Sequence, residues 1–160
     1  MAENIRKNIS RIVLAALILL TVSFIFTQSL LPSEVSSSES NGVKGLLATI
    51  FPPDTPLGAF ISQYVRKIAH FVEFGLLGAE LTLYALLFCR DKRRSLPAAL
   101  LSAFFVAFVD ETLQIFSGRG PMISDVWLDF CGSLCFSVAV SLVYLLVKHI
   151  KLRKAGHKNG

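Results

Sequence analysis

Residues 68–88 read IAHFVEFGLLGAELTLYALLF, an apolar run that contains three ionisable side chains. A helix of this length rises about 30 Å, which is the thickness of the hydrocarbon core of a bilayer. His70, Glu73 and Glu80 are costly in such a helix, because a charged group at its centre opposes insertion by about 2.5–3.5 kcal/mol. The stretch therefore predicts a membrane-spanning helix whose polar residues are present for a functional or packing reason.

Three further apolar stretches predict three further spans. The four predicted spans are residues 12–31, 68–88, 96–116 and 126–147, and the long segment 32–67 joins the first two. With 53% hydrophobic and 17% charged residues, the composition excludes an ordinary soluble domain. The expected fold is all-α, an integral membrane four-helix bundle that forms a single domain over residues 1–160.

The basic residues indicate how the bundle is oriented, since cytoplasmic flanks of membrane helices collect Lys and Arg. Twelve of the sixteen fall on one side: Arg6, Lys7, Arg11, Arg90, Lys92, Arg93, Arg94, Lys148, Lys151, Arg153, Lys154 and Lys158. Both termini, including a basic tail 148–160, are therefore expected in the cytoplasm, with the loops 32–67 and 117–125 outside. This distribution favours a topology signal over nucleic-acid binding. A cleaved signal peptide is the alternative for the first apolar run, although no A-x-A cleavage site follows it.

The long external segment has a periodic pattern of its own. Its apolar residues recur at i, i+3, i+4, i+7 and i+8, namely at Val43, Leu46, Leu47, Ile50 and Phe51. This spacing predicts a short amphipathic helix lying in the membrane interface. The same spacing resumes at Leu57, so the second helix is expected to begin before residue 68.

Polar residues of several spans are expected at one depth in the outer leaflet. Arg66, His70 and Glu73 share one face of the second helix, and Asp110 and Gln114 share a face near the end of the third. The candidate ligand-binding residues are Arg66, Lys67, His70, Glu73, Asp110, Glu111, Gln114, Arg119, Asp125 and Asp129. Adjacent residues on a helix point about 100° apart, so we expect Glu111 to reach outward to water or to Arg119 while Asp110 faces the seam.

The charges of this layer do not balance. Its cations are three residues, Arg66, Lys67 and Arg119, whereas its acids are five, Glu73, Asp110, Glu111, Asp125 and Asp129. An excess of two negative charges in a low-dielectric setting requires protonated carboxyls, a cationic His70 or a bound metal ion. The sequence leaves these possibilities, and any cofactor, undecided.

The polar blocks resemble those of the VanZ-like family of small bacterial membrane proteins. The matching blocks are Arg66 to Glu73 (RKIAHFVE), Asp110 to Gln114 (DETLQ), and Arg119 with Asp125 and Gly132. The resemblance implies a cell-envelope protein associated with teicoplanin resistance in Gram-positive bacteria, and it implies no settled reaction. The family pattern often has Asn where this chain has Asp129.

Two functions and a structural role are compatible with these residues. In a binding protein, the basic side chains hold an anionic lipid or cell-wall precursor while His70, Glu73 and Asp110 orient it. In an intramembrane enzyme for acyl or phosphoryl transfer or hydrolysis, the candidate catalytic residues are His70, Glu73 and Asp110, with or without a metal. In a scaffold, the polar groups only join the helices. Membrane lipids are expected partners and nucleic acid is not, and the oligomeric state remains open.

Overall fold

The computed structural model describes residues 2–118, 120 and 122–156, and every secondary-structure element in those residues is helical. The elements are α1 (Ala2–Leu30), α2 (Ser33–Ala48), α3 (Pro56–Phe88), a short 3₁₀ turn (Lys92–Arg94), α4 (Ser95–Phe116) and α5 (Ile123–Gly156). By length and composition, α1, α3, α4 and α5 can each cross a membrane. The predicted all-α fold with four membrane-spanning helices is confirmed.

The helices extend beyond the predicted spans. α3 begins at Pro56, before residue 68, as the apolar spacing that resumes at Leu57 predicted, and Thr55 caps it by accepting a hydrogen bond from the Gly58 amide at 3.0 Å. Pro56 lies in the first turn, where its missing N–H leaves no bond unmade. α1 likewise starts at Ala2, and α5 continues to Gly156 through most of the predicted tail. Hydropathy identifies the part of a helix that suits lipid, whereas backbone hydrogen bonding continues into polar sequence.

The predicted helix in segment 32–67 is present as α2, with different bounds. It begins at Ser33, ten residues before Val43, and ends at Ala48. The Ser37 and Ser40 hydroxyls donate to carbonyls one turn earlier, at 2.7 and 2.9 Å, so these side chains satisfy themselves within the helix. α2 packs against α3. Its expected position in the membrane interface stays a prediction.

α3 and α5 share the most extensive helix contact, and small residues make it possible. A Cβ added at Gly78 would lie 2.7 Å from the Ser133 Cα, and one added at Gly132 would collide with the α3 backbone. The Ser133 and Ser137 hydroxyls donate across the contact to the carbonyls of Phe74 and Gly78, at 2.9 and 3.0 Å. Membrane helices commonly associate in this way, through small residues and interhelical hydrogen bonds.

The buried apolar core is small and lies next to the polar layer. Its buried members are Ile25, Phe74, Leu77, Ala107 and Val126. These residues come from the four long helices, and each lies within one turn of a polar residue described below. Packing of the core therefore fixes how the polar side chains face each other.

Candidate functional site

The centre of the polar layer consists of three side chains from three helices. His70 of α3, Asp110 of α4 and Asp129 of α5 each place one potential ligand atom within 4.8 Å of the others. Asp110 and Asp129 are 0% exposed. The helix packing thus brings together three residues that are far apart in the sequence.

Asp129 is the least satisfied group of this centre. Its Oδ1 lies 3.5 Å from His70 Nδ1, close enough for an ion pair but too far for good hydrogen-bond geometry. Among the described residues, neither Asp129 carboxylate oxygen nor His70 Nδ1 has a hydrogen-bond partner, and all three atoms are buried. A buried carboxylate without donors is costly, so this group needs a compensating positive charge or a proton.

Two of the described residues, Ser29 and Gln114, donate hydrogen bonds to Asp110. The Ser29 hydroxyl of α1 donates to Oδ1 at 2.5 Å, and the Gln114 side-chain amide donates to Oδ2 at 3.2 Å. Gln114 lies one turn further along α4 and is also buried. These bonds tie α1 to α4 and fix the orientation of the Asp110 carboxylate.

Glu111 does not reach outward to water, so this part of the expectation is wrong. Its other expected partner, Arg119, lies outside the described residues. Glu111 is 5% exposed. Its Oε1 accepts a hydrogen bond from the Met122 amide, and its Oε2 accepts one from the Gln114 side chain at 3.1 Å. The turn after α4 folds back over this carboxylate, since Gly118 has a φ of +72° that reverses the chain direction.

The basic residues Arg66 and Lys67 line the mouth of a cavity of about 450 Å³. His70, Gln114 and Asp125 line the same cavity, and the Asp125 carboxylate lies 3.8 Å from Lys67 Nζ. The Lys67 side chain is about half exposed, so this ion pair is weak and the ammonium can move to another partner. The cavity combines mobile cations outside with buried polar groups at its base.

A smaller cavity of about 240 Å³ lies on the other side of His70. Glu73 and Arg66 line it, together with Ser36 and Ser40 of α2. Glu73 also interacts electrostatically with the three central residues. Arg66 and His70 border both cavities, so the two spaces meet along one face of α3.

Glu80 does not join this centre. Its Oε1 accepts a hydrogen bond from Thr21 of α1 at 3.1 Å, whereas its Oε2 is buried and has no partner among the described residues. Two further turns along α3 separate it from Glu73. Glu80 lies seven residues after Glu73 and therefore on the same face of α3, but this distance along the helix axis separates it from the site.

The candidates that the sequence supplied did not include three polar residues that line the cavities, Ser36, Ser40 and Gln63. Gln63 lies seven residues before His70 and therefore on the same helix face, a spacing that could have found it. Ser36 and Ser40 belong to a serine-rich stretch that resembles a linker. Only the docking of α2 on α3 brings them to the cavity.

The arrangement combines two kinds of chemistry. Exposed guanidinium and ammonium groups at the mouth suit an anionic headgroup, because Arg offers several donors in one plane and Lys offers a mobile charge. The base offers one imidazole and two carboxylates, which can hold a cation or exchange a proton.

Comparison with known proteins gives one family. The family model described as VanZ/LLP1 matches residues 13–145, a range that includes the whole of α3 and α4, most of α1 and α5, and every candidate site residue. No curated protein matches the chain, and no solved structure matches it.

Proposed function

Because this chain belongs to the VanZ/LLP1 family of membrane proteins, we propose that it binds the charged headgroup of an envelope lipid or cell-wall precursor in the outer leaflet of the bacterial membrane. The observation that carries the proposal is the cavity with Arg66 and Lys67 at its mouth and His70 and Gln114 at its base. Its volume of about 450 Å³ falls within the usual range of small-molecule sites.

The charge pattern of the cavity favours an anion as the group bound at the mouth. Lys67 shares only a long contact of 3.8 Å with Asp125 and is half exposed, so a phosphate or carboxylate can displace that pairing. Arg66 is exposed and borders both cavities. The buried carboxylates of Asp110 and Asp129, which lie beside His70, disfavour deep penetration of an anion and keep the ligand at the mouth.

The proposed location in the outer leaflet rests on the distribution of Lys and Arg. With both termini in the cytoplasm, the end of α4, the start of α5 and residues 66–73 lie near the external surface. This is the leaflet that an externally applied antibiotic meets first. A ligand held there is a membrane lipid or a lipid-linked envelope component, as the lipid surroundings of the helices suggest.

The proposed physiological effect is reduced susceptibility to lipoglycopeptides such as teicoplanin, as the family resemblance implies. Teicoplanin carries an acyl chain, and each buried methylene adds about 0.8 kcal/mol of membrane affinity. A protein that alters the outer leaflet therefore changes the local concentration of an acylated drug more than that of vancomycin, which lacks the chain.

The test is expression in a susceptible Gram-positive host with Arg66→Gln and Glu73→Gln as site variants. Lys44→Gln is the matched control, because it removes a cation from the same predicted side but from a different part of the surface. We expect the protein to raise the inhibitory concentration of teicoplanin more than that of vancomycin, and both site variants to lose the effect at unchanged protein abundance. Equal increases in the inhibitory concentrations of the two drugs would contradict a mechanism that depends on the acyl chain. Full teicoplanin resistance in both site variants would contradict a role for the cavity in the effect.

One observation favours an enzymatic alternative. His70 lies 3.5 Å from Asp129, a pairing that could orient an imidazole as a general base. In that function the basic residues stabilise a phosphoryl or acyl transition state, and water is the nucleophile. Turnover of a lipid substrate by purified protein, lost in His70→Gln, would favour the enzyme over the binding protein.

A further inference from the structure

We propose that His70, Asp110 and Asp129 form a binding site for a divalent transition-metal ion of the Zn²⁺ type, at the base of the polar layer. The proposal goes beyond headgroup binding and does not depend on it. It rests on the composition of the centre, on the separation of its ligand atoms and on the lack, in the part of the chain that the structure describes, of a hydrogen-bond donor to Asp129.

The spacing of the ligand atoms fits a small ion. Two ligands of a tetrahedral ion at bond lengths of about 2.1 Å are about 3.4 Å apart. His70 Nδ1 and Asp129 Oδ1 are 3.5 Å apart, and His70, Asp110 and Asp129 each place one potential ligand atom within 4.8 Å of the others. With Asp110 as the third, the protein supplies the three ligands that are typical of a zinc site with an open fourth position.

Asp129 supplies an observation independent of the cluster itself. Its side chain is fully buried, it lies at the centre, and both of its oxygens have no hydrogen-bond partner among residues 2–118, 120 and 122–156. No Lys or Arg of the described residues forms an ion pair with it. A dication between Asp129, Asp110 and His70 supplies the positive charge that Asp129 lacks, and it uses the imidazole nitrogen that has no hydrogen-bond partner among the described residues.

The donor set selects the class of metal. Ca²⁺ and Mg²⁺ take six or more oxygen ligands, whereas a site with one imidazole nitrogen and two carboxylates suits Zn²⁺ or a similar transition-metal ion. The Asp110 carboxylate is already oriented by Ser29 and Gln114, as ligating carboxylates usually are. Because His70 borders both cavities, an ion and a fourth ligand such as water can reach the centre from either one.

The experiment uses the full chain purified in detergent, stripped with a chelator and dialysed against Zn²⁺, Mn²⁺, Mg²⁺ or Ca²⁺. Bound metal is measured by mass spectrometry, and melting temperature is measured with and without added ion. The variants are His70→Gln and Asp129→Asn. Glu80→Gln is the matched control, since it neutralises a partly buried acid on α3 that lies outside the centre.

We expect about one Zn²⁺ per chain in the wild type and in Glu80→Gln, with a higher melting temperature when the ion is present. We expect His70→Gln and Asp129→Asn to bind no stoichiometric Zn²⁺ and to melt at a temperature that Zn²⁺ does not change. Wild type that binds no more Zn²⁺ or Mn²⁺ than the two site variants would overturn the proposal, as would preference for Ca²⁺ or Mg²⁺. If the site variants fail to fold, the Zn²⁺ dependence of wild-type melting decides: no shift on stripping and reloading also overturns it.

A failure of the metal proposal is distinguishable from a failure of headgroup binding. The metal assay uses no lipid and no antibiotic, and the headgroup test relies on Arg66 and Glu73, neither of which belongs to the three proposed ligands. Loss of teicoplanin protection in Arg66→Gln with intact Zn²⁺ binding separates the two sites. Zn²⁺ binding that vanishes in Arg66→Gln would contradict the assignment of the ligands.

Discussion

At the scale of single residues, Asp110 and Asp129 illustrate how the same side chain can have opposite surroundings. Both are fully buried, yet Asp110 accepts hydrogen bonds from Ser29 and Gln114, whereas Asp129 has, among the described residues, only a long contact with His70. Satisfied buried polar groups stabilise a fold, and unsatisfied ones oppose it. This difference indicates that hydrogen bonds within the fold position Asp110, whereas the buried charge of Asp129 needs a cation or a proton to compensate it.

The bond between Ser29 and Asp110 predicts a measurable contribution to stability. Ser29→Ala removes a donor at 2.5 Å from a buried carboxylate, and a hydrogen bond to a charged group contributes about 1.5–3 kcal/mol. We therefore expect Ser29→Ala in detergent to have a lower melting temperature than wild type, measured by circular dichroism. Ser37→Ala is the control, because the exposed Ser37 hydroxyl donates to a carbonyl within α2. We expect its free energy of unfolding to lie within about 0.5 kcal/mol of the wild-type value. Identical melting of the two variants would show that the Ser29 bond does not contribute.

At the scale of the helices, the contact between α3 and α5 determines the geometry of the site. Gly78 and Gly132 allow the two backbones to approach closely, and the Ser133 and Ser137 hydroxyls bridge them. His70 and Asp129 lie on these same two helices, on the side of Gly132 and Phe71 toward the loops. A wider separation of the helices would break the pairing of His70 with Asp129.

Alanine substitutions at two helical glycines should therefore have opposite effects. Gly78→Ala places a Cβ against the Ser133 backbone, and forced overpacking costs about 1–3 kcal/mol, more than the gain in helix propensity of about 1 kcal/mol. Gly45→Ala in α2 meets nothing within 4 Å, so only the favourable helix propensity remains. We expect a lower melting temperature for Gly78→Ala and an unchanged or higher one for Gly45→Ala. A gain in stability at Gly78 would contradict the close contact.

At the scale of the whole molecule, the bundle has a strongly basic side and a side with a mixed polar layer. The basic side carries the 3₁₀ turn Lys92–Arg94 and the end of α5, where the described residues include Lys148, Lys151, Arg153 and Lys154. The other side carries the cavities, α2 and the acidic centre. Because a membrane imposes direction on such an asymmetric molecule, the charge distribution predicts which side the site faces.

Topology reporters test this orientation directly. Fusions at Lys44 in α2 and at Lys92 in the turn before α4 should report opposite sides of the membrane, with Lys92 in the cytoplasm. An intact amino-terminal tag on the mature protein should accompany this result. An external Lys92 would contradict the predicted orientation and would place the site in the inner leaflet. Cleavage after the first apolar run would contradict the prediction of four membrane-spanning helices.

The sequence by itself determined the all-α class and the four apolar helices, because hydropathy and helical period depend on local spacing. It also selected nine described candidate site residues, of which His70, Asp110 and Asp129 meet within 4.8 Å. Spacing could not show that Glu111 is buried beneath the following turn, since that depends on how the chain reverses at Gly118.

Only the tertiary structure decided which polar groups are partners. Ser29 joins Asp110 across 81 residues of sequence, and α2 brings Ser36 and Ser40 to a cavity beside Glu73. Helix rotation and close packing set these contacts, and neither leaves a periodic signal in a single chain. For the same physical reason the pairing of His70 with Asp129, rather than with Asp110 or Glu73, became visible only once α3 and α5 were packed together.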